Sequence, residues 1–156
     1  MGDYDFSHLQ VQRGATTTYD IVEIDTPPGT VDRGGGPLRH PRLTLAPATR
    51  ETKLYWSKSI KRSGRRGVRA RIDETTIEEG REEDLQLFPK HIVKGWEGVF
   101  NKAGEAVPFS EFECRKFLTA LPDWIFSNLR IFAKDPVNFL PDDMPTPDEV
   151  AEQGNV

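Results

Sequence analysis

The sequence is poor in the residues that most chemistry requires. It has a single cysteine, Cys114, among 156 residues, so a disulfide framework and a cysteine metal cluster are both excluded. That usage suits a reducing, intracellular origin, and Cys114 itself reads as a small buried hydrophobe within a helix. The three histidines, His8, His40 and His91, stand in three different segments. No HExxH, CxxC or GxSxG spacing occurs. Arg33-Gly34-Gly35-Gly36 is glycine-rich but lacks the Gly-Lys-Ser/Thr of a phosphate loop, and Asp142-Asp143 lacks the glycine turn and terminal glutamate of a calcium loop. No enzyme activity, metal or cofactor is therefore expected. No apolar run approaches ~18 residues, and the acidic, polar start MGDYDFSHLQ does not read as a signal peptide. No membrane partner is expected.

Apolar side chains are also scarce, at 36% against 29% charged, with 13 glycines and 12 prolines. Such a composition predicts one domain with a modest core and long irregular flanks. Residues 1–37 read as an irregular arm carrying one short strand, Tyr19 to Thr26, and PPGTVDRGGGP within it reads as a mobile loop. Residues 38–140 read as a single domain. Leu38 to Ala46 alternates, and Pro41, which has no amide hydrogen, places it at a sheet edge. A first helix is predicted over Thr49–Ser63 and a second over Asp73–Leu87, ended by Pro89. Ile92-Val93 and Val99-Phe100 flank Gly95-Trp96-Glu97-Gly98 as a short strand pair or extended arm. Asn101 to Gly104 is a turn. Ser110 with Glu113 forms a capping box for a helix to Leu121. Asp123 caps a last helix, Trp124–Lys134, stopped by Asp135-Pro136. Residues 141–156 read as an acidic flexible tail that cannot offset its own ordering entropy. The fold class is α+β: a small antiparallel sheet or hairpins with three to four helices.

Charge is distributed unevenly. Lys53, Lys58, Lys61, Arg62, Arg65, Arg66, Arg69 and Arg71 follow one another with no acid between them, and Asp73 to Asp84 then holds seven acids and one base. Three explanations are open. Two helices can turn their opposite charges toward each other, at ~0–1 kcal/mol per exposed pair. The basic stretch, with Tyr55 and Trp56 interleaved, can dock an acidic protein. It can also track nucleic acid through residues 53–71, a reading disfavoured by the adjacent acidic block. Among the large aromatics, Trp124, Phe126 and Phe132 read mainly as core. Trp96, flanked by glycines, reads as an exposed anchor for a partner. The candidate partner-binding residues are Trp96, Glu97, Val99, Phe109, Tyr55, Trp56, Arg62, Arg65, Arg66 and Arg69.

Several of these segments together resemble small morphogenesis proteins of tailed bacteriophages, of the tail assembly chaperone type. They are Leu43 to Thr49, Lys53-Leu54-Tyr55, Pro89 to Val99, Gly104, Val107-Pro108-Phe109-Ser110 and Leu118 to Trp124. The resemblance spans about residues 43–140 and rests most on Gly-Trp-Glu-Gly followed by Pro-Phe-Ser. It implies binding without catalysis. The partners would be tape-measure and tail-tube subunits, or capsid or connector subunits if the chain resides in the virion, and self-association is compatible with it. The implied location is the bacterial host cytoplasm during assembly, or the virion. Under this reading, residues 91–112 form a rigid recognition wedge with Trp96 as its anchor.

Overall fold

The computed structural model describes residues 4–65 and 74–141, with side chains described outside 61–65 and 74–77. The fold is α+β. Among the described residues a three-stranded antiparallel sheet joins β1 (Thr17–Asp20), β2 (Arg42–Leu45) and β3 (Val93–Glu97), in the order β1-β2-β3. Four α-helices accompany it: α1 (Lys53–Arg65), α2 (Glu74–Leu87), α3 (Glu111–Ala120) and α4 (Asp123–Lys134).

The sheet forms because β2 alternates. Leu43 and Leu45 are buried while Arg42 and Thr44 are half-buried, so one face of the pleat meets the core and the other carries polar groups. Leu43 sits opposite Tyr19 on one side and Trp96 on the other. This corrects the expectation of an edge strand. Pro41 lies just before β2, where its missing amide costs no ladder bond, and its carbonyl accepts from Ile21 N at 2.9 Å. Within residues 1–37 the chain joins the sheet. It supplies β1, shorter and earlier than expected, and Ile21, which is fully buried. The glycine-rich stretch is a loop, as expected, closed by internal hydrogen bonds. Val31 bridges Pro37, and Asp32 Oδ1 accepts from Gly36 N at 2.9 Å.

Local signals set the helices. Ser110 Oγ accepts from Glu113 N at 3.1 Å, which is one of the two bonds of the expected capping box. Asp123 is the first residue of α4 rather than its cap. The cap position is Pro122, whose carbonyl accepts from Ile125 N and Phe126 N, while Asp123 pairs with Arg81 at 2.6 Å. Pro89 does not end the helical path after α2. The chain continues through a π-helical turn, Phe88–Ile92, closed by Val93 N on Phe88 O. Proline has no amide to donate and crowds the carbonyl four residues back, and the wider turn accommodates both defects. The turn also buries Phe88 and Ile92 completely.

The core sits where the sheet, this π turn and α2, α3 and α4 converge. Phe88 is its hub, meeting the rings of Tyr55 at 5.9 Å and Phe126 at 5.8 Å edge-on. Phe126, Leu118, Leu129 and Cys114 close it from α3 and α4. The apolar side chains expected in residues 85–140 do form most of it, and Ile21, Leu43, Leu45 and Tyr55 complete it from the N-terminal side.

Candidate interaction surface

Helix α1 is anchored by one side and bare on the other. Its Tyr55 ring is buried against Phe88, and the Tyr55 hydroxyl donates to Asp84 Oδ1 at 2.8 Å. The Asp84 side chain, only 4% exposed, also receives Arg130 Nε at 2.7 Å and Lys134 Nζ at 2.9 Å. One buried carboxylate of α2 thus binds α1 and α4 together. The charge-assisted bonds offset its desolvation. Burial, followed by the neighbouring Asp84 charge, pushes the Tyr55 hydroxyl well above its ordinary pKa, so it stays a proton donor. Arg81 and Arg130 both approach the Phe126 ring, at 6.0 and 5.9 Å from its centroid, and add cation–π attraction to the same junction.

Three large apolar side chains of α1 remain in solvent: Leu54, Trp56 and Ile60. Trp56 and Ile60 are four apart and share a face. Lys53 and Lys58 are exposed around them. Trp56, 40% exposed, forms one wall of a groove of about 550 Å³ between the start of α1 and the end of α4. Tyr55 lies at the groove floor rather than on the surface, which removes it from the set of residues a partner can reach directly. Arg62 and Arg65 fall within α1, but their side chains lie outside the described residues, as do Arg66 and Arg69 altogether. Tyr55 of the basic helix α1 bonds Asp84 of the acidic helix α2. The cations on Asp84 come from α4.

The wedge expected at residues 91–112 is built differently. Trp96 is only 6% exposed. Its Nε1 donates to Val107 O at 2.8 Å, and its ring meets Phe109 at 5.2 Å and Phe117 at 5.4 Å. Its strand position explains this: opposite Leu43, it points into the core. The flanking glycine has a structural use as well. Gly98 has φ +75°, and a Cβ there would lie 2.9 Å from Leu38 Cδ2, so the glycine serves the turn after β3 and the close packing of the 26–40 loop. Val99 is buried, and Phe109 is half-buried under Trp96. Glu97 is half-buried and pairs with Arg33 at 3.1 Å. Trp124, expected in the core, is exposed at 60%, like Trp56, on a face of α4 that also carries exposed Ile131 one heptad later.

Sequence reasoning missed Asp84, Leu54, Ile60 and the outward Trp124. Trp56 is among the residues expected to meet a partner, and it is exposed; Leu54 and Ile60 are exposed beside it without having been named for that role. Asp84 looked like one more solvated acid of a charge run. A clue was present at the end of α2, where Asp84 precedes Leu85, Leu87 and Phe88, all of them buried. Among the described residues no three His, Cys, Asp or Glu side chains converge to hold a metal ion. No described helix is long and apolar enough to cross a membrane.

The site is therefore a surface, an apolar and basic helix face with a groove at its foot, on a small α+β fold. The chain's own sequence gives its lineage. Residues 52–143 match the family described as YdaY prophage protein. That is more than half of the chain, which belongs to this family and is phage-derived. No curated protein and no solved structure matches it. The matched region starts at the foot of α1 and runs two residues past the end of the described chain, so β1 and β2 lie outside it.

Proposed function

We propose that this chain is a phage assembly factor of the tail assembly chaperone type, one that binds other phage structural proteins and carries out no reaction of its own. The observation that supports it best is α1. A helix clamped to the body by a buried Tyr55–Asp84–Arg130 junction leaves Leu54, Trp56 and Ile60 in water beside Lys53 and Lys58. Tryptophan is among the residue types most enriched at binding hot spots, and here it stands on a rigid support. The cations would steer an acidic partner and fix its register. The partner in this proposal is a tape-measure or tail-tube subunit, met in the host cytoplasm during assembly.

The test is affinity capture from cells producing the phage, followed by mass spectrometry. Tail proteins are expected with the natural chain and should be lost when Leu54, Trp56 and Ile60 are changed together to serine. The chain itself should be missing from purified particles. A variant that captures the same proteins as the natural chain would reject α1 as the working surface.

A second reading, a resident virion component, is favoured by the N-terminal segment. Tyr4 and Phe6 stand exposed there with their rings stacked at 6.2 Å, and they are available to a neighbouring subunit. Stoichiometric presence in purified particles would establish that reading over the first.

A further inference from the structure

The groove beside Trp56 lies close to where the described chain runs out. Its walls include Arg50 and Glu51 before α1, Trp56 and Ser59 in α1, and Lys134 and Pro136 at the end of α4. Two cations there face a single acid, and Glu51 already accepts from Thr49 Oγ1. Lys53 is exposed on the first turn of α1, which contains no acid. Lys134 pairs with the buried Asp84, but that carboxylate is shared with Arg130, so the groove offers an apolar wall with a net positive rim.

Chain geometry supplies an occupant. Pro136 is a groove wall and Pro141 is five residues further on, so the chain leaves the described fold within ~18 Å of the groove. Residues 142–156 follow, carrying Asp142, Asp143, Asp148, Glu149 and Glu152 and no lysine or arginine. Their contour reaches up to ~50 Å, enough to cross the whole face of α1, a helix of ~20 Å.

We propose that residues 142–156 dock across this groove, with their carboxylates toward Arg50, Lys53 and Lys134, and cover Trp56 until a partner displaces them. The tail is then an intramolecular competitor for the surface that binds assembly partners. Tethering supplies an effective concentration of about 1 mM, so a contact too weak to persist between separate molecules still occupies the groove. The competition rests on the binding role proposed above. The contact itself does not, and it is measured on the full chain without any partner.

The measurement is the indole ¹H–¹⁵N signal of Trp56, assigned with Trp56→Phe. It is compared between the natural chain and a full-length variant carrying Asp142→Asn, Asp143→Asn, Asp148→Asn, Glu149→Gln and Glu152→Gln. The Trp56 signal should differ between the two, while those of Trp96 and Trp124 stay in place. About 0.5 M salt should move the natural chain toward the variant, because the contact is between solvent-facing charges. A peptide of residues 142–156, added to the variant, should restore the natural position. Arg50→Glu should weaken that peptide roughly fivefold or more. Coincident Trp56 signals in the two chains would overturn the proposal. A difference that grows with protein concentration would overturn it as well, by assigning the tail to a second copy.

Discussion

Two regions of this molecule carry a tryptophan beside charged neighbours, and they serve opposite ends. In β3, Trp96 sits opposite Leu43 on the central strand, donates its indole hydrogen to Val107 and packs against Phe109 and Phe117. In α1, Trp56 shares a face with Ile60 and looks outward over a groove. One region is a wedge that holds the fold together. The other is a surface that the fold holds up. The lesson is that glycine beside tryptophan does not mark exposure. At Gly98 it marks a turn with positive φ and a close approach of Leu38.

The largest expected effect tests this contrast directly. Trp96→Ala should cost ~3–5 kcal/mol of stability, as for other buried aromatics, whereas Trp56→Ala should stay within about 0.5 kcal/mol. Urea denaturation of the two variants measures both, and equal losses would abolish the distinction. Nearly as large is the junction that positions α1. Asp84→Ala leaves Arg130 without its buried carboxylate and should cost ~3–5 kcal/mol. Tyr55→Phe keeps the ring against Phe88 and loses one hydrogen bond, about 1–3 kcal/mol for a charged acceptor. Should the two prove equal in thermal unfolding, the carboxylate would be no more than a partner for Tyr55.

Within the wedge, Ser110→Ala removes the cap of α3 and should cost ~1 kcal/mol, read from the denaturation midpoint. A control at an exposed residue of the same helix, Arg115→Ala, should change almost nothing. The smallest effect is chemical. Burial pushes the Cys114 thiol up to about 12, so the folded chain should not react with a thiol reagent at neutral pH and should react fully once unfolded. Prompt labelling of the native protein would show that the core beneath α3 opens readily.

Much of the architecture could be read locally. The turn at Asn101 to Gly104 forms as expected: Gly104 has φ +78°, and Asn101 Oδ1 accepts from Ala103 N and Glu105 N. The ends of α2, α3 and α4 fell within a residue or two of their capping and breaking signals. The larger wrong expectations were tertiary. Pro41 suggested an edge because a proline inside a ladder forfeits a bond, but the ladder begins one residue later. Asp84 could not be told from its acidic neighbours, because burial depends on which helices pass overhead. Trp124 and Trp96 exchanged roles for the same reason.

By itself the sequence determined an α+β chain with capped helices, a single thiol and a segregated charge pattern, because these follow from composition and from interactions within a few residues. Only the tertiary structure decided that β2 is the central strand, that Trp96 is core and that α1 turns Leu54, Trp56 and Ile60 to water. Those outcomes depend on contacts between residues far apart in the chain. Their free energy is set by which apolar faces meet once the sheet and helices close on Phe88.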